Sequence, residues 1–407
     1  MRRSSVWFLV CAVLLLGTGS AWARAFISVT TTEPGITPDG LCSLAEAIEN
    51  ANANENVHLD CYVGHAYSYS DVINLGDGQT YTLQSPFGND YGLPTARFGL
   101  HIWGNGSTIE RADGAPPFGI LKGQSMSLTD LTIRNAAGQP AVSASQSLSL
   151  SRCVITNNEI GIEFHGDRGL QVLDSTVRGN GTGVVNECLW PSPSRVYVTI
   201  DSSTFTSNRP GGGVAILGCT ESSSLTVINS TFSSNAAPEG GAVSVKDGRL
   251  FMKQCTIVNN RAYTQGGGIH ADGSDVEVRG SIVAQNTGLN CSISENSTMT
   301  SAGYNITDDD WCGFDSTTDL RVTEPMLSEL TYWGGPTLTH MPLEGSPAID
   351  MGGPYCDRLD QRGYSRPADG DGDGTKACDC GAVEFGSKPP LEDQGNPVDP
   401  GPPPPWE

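Results

Sequence analysis

Short apolar runs that end in asparagine recur through the middle of this chain, and their spacing limits the possible folds more than any other feature. They are Leu131-Thr-Ile-Arg-Asn135, Cys153-Val-Ile-Thr-Asn-Asn158, Ser175-Thr-Val-Arg-Gly-Asn180, Ser203-Thr-Phe-Thr-Ser-Asn208, Ser230-Thr-Phe-Ser-Ser-Asn235, Cys255-Thr-Ile-Val-Asn-Asn260 and Ser281-Ile-Val-Ala-Gln-Asn286. The asparagines stand 23, 22, 28, 27, 25 and 26 residues apart. A period in the twenties is too short for a four-stranded propeller blade, and the units hold no helical stretch for a helical solenoid. Each unit adds a glycine-led apolar run, as at Gly161-Ile162, Gly211-Gly-Gly-Val214, Gly240-Gly-Ala-Val243 and Gly266-Gly-Gly-Ile269, and an alternating strand such as Leu225-Thr-Val-Ile228. Three short strands joined by tight turns describe one rung of a parallel β-helix. Rungs ~4.8 Å apart, on the order of ten of them, make a rod of roughly 50 Å over residues 66–312. Asn135, Asn158, Asn180, Asn208, Asn235, Asn260 and Asn286 are expected to form one ladder, because Asn tolerates the left-handed backbone of a sharp turn and its side chain hydrogen-bonds along the axis.

Composition agrees with one repetitive all-β body. Only 37% of residues are hydrophobic and 50 are glycine, so few core-forming side chains are shared across many turns. With 23 Lys and Arg against 45 Asp and Glu, the net charge of −22 excludes the electrostatics of a nucleic-acid binder. Residues 1–23 read as an export signal: Arg2 and Arg3, an apolar run from Val6 to Gly17, then Ala21-Trp22-Ala23. That apolar run is short for a ~30 Å hydrocarbon core, and no later run approaches ~18 residues, so the mature chain is expected to have no transmembrane segment. A secreted or cell-surface monomer follows as the expectation.

Export places the other cysteines in an oxidising compartment. Spacing suggests Cys42 with Cys61, Cys188 with Cys219, Cys291 with Cys312 and Cys356 with Cys378, although sequence alone leaves connectivity open. Cys153 and Cys255 fall at equivalent points of the repeat and read as buried core thiols, leaving Cys380 as the odd one. Both ends of a β-helix need covers. At the front, within an expected cap of residues 24–65, Ser43-Leu-Ala-Glu46 has capping-box spacing. Leu44, Ala47, Ile48 and Ala51 fall on one helical face there. Residues 313–385 are expected to form the opposite cap, and the Pro-rich residues 386–407 an extended tail.

Several of these pieces resemble known families. Phe205-Thr-Ser-Asn208, Phe232-Ser-Ser-Asn235 and Gly240-Gly-Ala-Val243 resemble the repeats of polymorphic outer-membrane proteins. Asp39-Gly-Leu-Cys-Ser-Leu-Ala-Glu-Ala-Ile48 is similar to the C-S-L-R-E-A-I motif of exported bacterial β-helix proteins, with Ala45 in place of the usual Arg. Gly345-Ser-Pro-Ala-Ile-Asp350, Asp360-Gln-Arg-Gly363, Arg366-Pro367 and Cys378-Asp-Cys-Gly-Ala-Val-Glu384 resemble the end signature of choice-of-anchor Q domain proteins, with Cys380 where an aliphatic residue is usual. The resemblance implies a right-handed parallel β-helix at the bacterial surface or outside the cell; with the residue readings above, the expected fold is an all-β solenoid with a short N-terminal capping helix and an irregular, disulfide-bonded C-terminal cap.

Chemistry is harder to read. Asp308-Asp-Asp310 offers carboxylates, but consecutive residues in a turn cannot all converge, so a solvated loop is expected. Lys246, Asp247, Arg249 and Lys253 form the densest basic cluster, expected to solubilise an edge turn rather than face an anionic sugar. His165 and His270 are expected at turns. Asp369-Gly-Asp371-Gly-Asp373-Gly resembles the start of a calcium loop, where alternate carboxylates converge on a hard cation, but its closing Glu is missing. A structural calcium there competes with a plain acidic turn. Trp190, in a loop stapled by Cys188 and Cys219, could meet a ligand or pack on its own rod. The expected function is a non-enzymatic surface or secreted protein that presents loops for adhesion or glycan contact. A polysaccharide lyase or glycoside hydrolase is the alternative, and no catalytic residues are assigned.

Overall fold

Alternation between inward apolar and outward polar side chains builds every rung. The computed structural model describes residues 26–61, 70–88, 90–187, 195–217 and 223–389. The expected export signal, Cys188, Trp190, Cys219 and most of the Pro-rich tail lie outside them. Parallel strands stack in about nine turns of a β-solenoid. Its first sheet includes Gly169–Leu173, Tyr197–Asp201, Ser224–Ile228, Arg249–Lys253 and Asp275–Arg279. The second includes Val154–Thr156, Thr176–Arg178, Thr204–Thr206, Thr231–Ser233, Thr256–Val258 and Ile282–Ala284. The third includes Ile160–Phe164, Thr182–Glu187, Val214–Leu217, Val243–Lys246 and Ile269–Asp272. Long bent strands, Ala96–Arg111 and Leu121–Arg134, carry the early rungs from one sheet into the next.

In-register pairing lines like residues up inside the rod. Leu148, Leu170, Val198, Leu225, Leu250 and Val276 form one inward column. Phe205 and Phe232 stack with ring centroids 4.9 Å apart. At the front, Ser43 caps helix Leu44–Ala53: its side chain accepts from the Glu46 N–H at 3.2 Å, and Glu46 Oε2 accepts from the Ser43 N–H at 2.9 Å. The helix buries Leu44, Ala47, Ile48 and Ala51, and the Cys42–Cys61 disulfide pins its approach.

The asparagine column corrects the expectation in two ways. Asn158 donates to Asn180 Oδ1 from both its backbone and side-chain nitrogens at 3.0 Å, and the same pair of bonds links Asn180 to Asn208, Asn208 to Asn235, Asn235 to Asn260, and Asn260 to Asn286. Asn135 is not a member. Register pairs Arg134 with Thr156, so Ala136 occupies the ladder position and its N–H donates to Asn158 Oδ1. Asn135 instead takes the corner just before, with φ 68. The left-handed residue and the ladder residue are therefore separate: Asn157, Ser207, Ser234 and Asn259 turn the corner at φ 57, 57, 61 and 61, while the next asparagine makes the ladder.

A second column runs through Ser175, Ser203 and Ser230, and Cys153 and Cys255 stand in it. The Cys153 N–H donates to Ser175 Oγ and the Cys255 N–H to Ser281 Oγ, both at 3.0 Å. Burial pushes both thiols up to about 12, so they behave as small apolar groups.

Beyond the last short strands, Ile306–Thr307 and Leu320–Arg321, the chain does not form only an end cap. Residues 322–389 run back along the outer face of the second sheet as a strap. Thr204 Oγ1 donates to the Leu338 carbonyl, Thr231 Oγ1 to Gln361 Oε1, and the Ala382 N–H to Thr256 Oγ1. The outward side chains of Thr204, Thr231, Thr256, Ile282 and Ile306 are consequently buried. Cys380 joins Val258, Ile282, Ala284, Ile306 and Ala348 in a small apolar core between strap and rod, which gives the unpaired thiol an aliphatic residue's place. The Cys356–Cys378 disulfide lies within the strap, and Cys291–Cys312 ties the strand Cys291–Ile293, paired with Ile269–Asp272, to the loop after Ile306–Thr307.

Inside the strap, Asp379 accepts from the N–H groups of Asp350, at 2.7 Å, and Phe385. Burial and the neighbouring Glu384 push its carboxyl up to about 7, with Arg366 opposing, and burial raises Glu384 as well. A folded-state pKa above the unfolded value favours the protonated folded strap, so this stabilisation is complete below about 4 and is lost as pH rises through about 7. Buried His340, bonded to Ser233 Oγ and the Ser328 carbonyl, is shifted down by burial and acts oppositely, weakening the strap as pH falls below 6.5. Limited proteolysis is expected to release strap fragments faster at about pH 8 than at about pH 6.5. Asp379→Asn should abolish that difference, and an unchanged difference would show that other groups set it.

Candidate functional site

The outward face of the first sheet holds a groove of about 430 Å³. Register builds it: Gly99, Ser125, Ser147, Gly169 and Tyr197 fall in one column, and His101, Ser127, Ser149, Gln171 and Thr199 in the next. Five rungs at ~4.8 Å give a floor of roughly 19 Å along the axis. Its surface is a carpet of short hydroxyls. Gly169 takes φ +108, so a side chain there would strain the backbone. Tyr197, 45% exposed, closes one end. On the rung at the other end, Trp103 at 44% exposure stands edge-on to Phe26, with centroids 5.5 Å apart. Arg168 lines the groove, and among the described residues no carboxylate does.

None of these groove residues stood out in the sequence. The available signal was strand alternation in Ser125-Met-Ser-Leu-Thr129 and Ser147-Leu-Ser-Leu-Ser151: Ser125, Ser127 and Thr129, then Ser147, Ser149 and Ser151, put only small hydroxyls on one face of two neighbouring strands. Their convergence with Arg168 and Tyr197 exists only once the rungs are stacked.

The residues that did stand out are engaged elsewhere. Lys246 lies 3.7 Å from Asp272, Arg249 3.9 Å from Asp275, and Lys253 2.5 Å from Asp357, so the basic cluster is already neutralised. Asp308 and Asp309 close the asparagine column. Asn286 donates to Asn290 Oδ1, the Asn290 N–H donates to Asp309 Oδ2 at 2.9 Å, and Asn290 Nδ2 donates to Asp308 Oδ1 at 2.5 Å. Asp310 pairs with Arg321 at 2.7 Å. His165 follows strand Ile160–Phe164 with Nε2 3.2 Å from Glu163, but His270 sits within strand Ile269–Asp272 and is buried, not at a turn.

Adjacent rungs do bring two carboxyl groups together at Asp174 and Asp201, and burial raises both. Asp201 also feels Asp357 of the strap, and neither residue lines the groove. The acidic loop rearranges relative to expectation: Asp350, Asp369 and Asp371 each place a carboxylate oxygen within 4.8 Å of the others, while Asp373 Oδ1 accepts from the Thr375 N–H. Two of the three expected residues, with Asp350, thus present a set of hard oxygens of the kind calcium takes. Among the described residues no helix is long and apolar enough to cross a membrane.

Comparison with known proteins addresses the fold. No curated protein matches the chain in sequence. A solved structure described as the crystal structure of pectate lyase Pel9A is similar with a TM-score of 0.50 at 12% identity, covering 89% of this chain and 97% of that one. Residues 188–323 match the family model described as right handed beta helix region. Stacked parallel sheets and that match together establish the fold of this chain as a right-handed parallel β-helix.

Proposed function

We propose that this chain is an exported, non-enzymatic β-helix protein that contacts extracellular glycans, and that the groove on the first sheet is where it does so. The observation that carries the reading is the lining itself: hydroxyls, one amide, a histidine, an exposed tyrosine and an arginine, without a carboxylate among the described residues. A glycosidase needs two carboxyl groups ~5 to ~9 Å apart across the scissile bond. A calcium-dependent lyase needs carboxylates to hold the ion beside the substrate. Short polar side chains around an aromatic platform suit binding without turnover. The three disulfides among the described residues agree with an oxidising destination. The test is a panel of neutral and acidic polysaccharides, followed for binding, for unsaturated products and for new reducing ends. Binding without product is expected, with Tyr197→Ala weakening it by about tenfold. Turnover of any polymer would replace this reading with the lyase or hydrolase one.

A structural calcium at Asp350, Asp369 and Asp371 is the accompanying proposal. Calcium is expected to raise the melting temperature, and Asp371→Asn to remove that effect. Calorimetry showing no binding at millimolar calcium would reject the site.

A further inference from the structure

We propose that the glycan taken by the groove is acidic, and that three arginines along one rim read its carboxylate or sulfate groups. This rests on the glycan reading above and names the ligand class. Arg97 stands two residues before Gly99, Arg168 one before Gly169, and Arg195 two before Tyr197, so all three lie on the same side of the floor. Arg168 and Arg195 belong to neighbouring rungs, and Arg97 lies three rungs further on, roughly 14 Å along the axis. Each is exposed, and none forms an ion pair with a described residue. Arg134, Arg152, Lys246, Arg249, Lys253, Arg321, Arg362 and Arg366 all have carboxylate partners.

In a protein with 45 acidic and 23 basic residues, cations left without partners beside a groove without carboxylates create a local field opposite to the net charge. Asp167 is the one carboxylate within two residues of these arginines in sequence. Guanidinium forks match carboxylate and sulfate geometry bidentately, and a row of them suits charges repeated along an extended polymer. The hydroxyl floor and Tyr197 favour a sugar chain. The net charge of −22 disfavours the denser charge of a nucleic acid.

The experiment uses the full chain in calcium-free buffer with alginate, hyaluronan and polygalacturonate. Each is compared with its own carboxyl-reduced form, with single-stranded DNA beside them, at low and high salt. The acidic form of at least one polymer is expected to bind about tenfold tighter than its reduced form, with the gap closing at high salt. Arg168→Gln with Arg195→Gln should remove that gap by weakening the acidic form about tenfold, and Asp167→Asn should widen it. Equal binding of the acidic and reduced forms would overturn the inference and leave the glycan reading standing. DNA bound as tightly as the best polymer would also overturn it, as general polyanion attraction. If no polymer binds in either form, the glycan reading itself fails and the inference falls with it.

Discussion

Replacing Asn208 with Leu should destabilise the rod by about 3–6 kcal/mol, a large share of the ~5–15 kcal/mol that holds a typical domain folded. Asn208 is fully buried and makes four side-chain bonds. Its Oδ1 accepts from the Asn180 backbone N–H at 3.1 Å and from Asn180 Nδ2 at 3.0 Å. Its Nδ2 donates to the Val177 carbonyl at 3.0 Å and to Asn235 Oδ1 at 2.9 Å. Leucine matches the volume but leaves a buried N–H and a buried carbonyl without those partners, in a place water does not reach. The expected readout is a lower melting temperature with faster hydrogen exchange at the Asn180 amide. Asn135→Gly is the control, because Asn135 lies outside the ladder at φ 68, a conformation glycine adopts freely. That variant should stay within about 0.5 kcal/mol of the parent. An unchanged melting temperature for Asn208→Leu would refute the ladder as a source of stability.

The same column has a direction. From Asn158 to Asn260, each asparagine of the column donates its backbone N–H and an Nδ2 hydrogen to the next asparagine toward the C-terminus, while Nδ2 also donates back to a carbonyl of the preceding rung. The last donors meet carboxylates at Asp308 and Asp309. The serine column ends alike: the Ser281 N–H donates to Asn305 Oδ1, and the Asn305 N–H donates to Asp319 Oδ1. Charged acceptors at the ends of these columns of donors are the sheet counterpart of an acidic residue at a helix N-terminus. Asp308-Asp-Asp310 is therefore understood as the terminus of a polar column, which its sequence context alone does not convey.

What could be read from the residues was whatever repeats or acts locally. The period, the strand alternation, the capping box at Ser43 and Glu46, and the pairings Cys42–Cys61, Cys291–Cys312 and Cys356–Cys378 depend on short separations, and each has a local physical signature. The one-residue displacement of Asn135 from the ladder is invisible without the register of Ile133 against Ile155. The strap was illegible for a stronger reason. Gln361 donates to Thr204 Oγ1 and the Ser203 carbonyl, and accepts from Thr231, across 130 residues or more of sequence, and no spacing rule reports such contacts. The groove is of the same kind, since Arg168, Tyr197 and the serines share a face only through stacking.

Asp360→Ala should detach the strap while leaving the rod assembled. Asp360 is buried and accepts five bonds. Oδ1 takes the N–H groups of Arg362 and Tyr364, and Oδ2 takes Arg362 Nε, Arg362 Nη2 at 2.7 Å and the Glu384 N–H. Removing the carboxylate leaves the Arg362 guanidinium buried without its counter-ion, a loss of about 3–5 kcal/mol. The strap is held to the rod mainly by scattered polar contacts at Gln361, Thr337, Leu338 and Ala382, so it has little reserve against a loss of that size. The inward columns of the rod contain no strap residue, since the Cys380 patch lies on the outer face of the second sheet, and they should keep their exchange protection. Protease cleavage concentrated within residues 322–389, with the rungs at Leu225 and Val227 still protected, is the expected pattern. If rod and strap instead lose protection together, the two form one cooperative unit. The end signature Asp360-Gln-Arg-Gly363 through Glu384 would then stabilise the whole helix rather than fasten its cover.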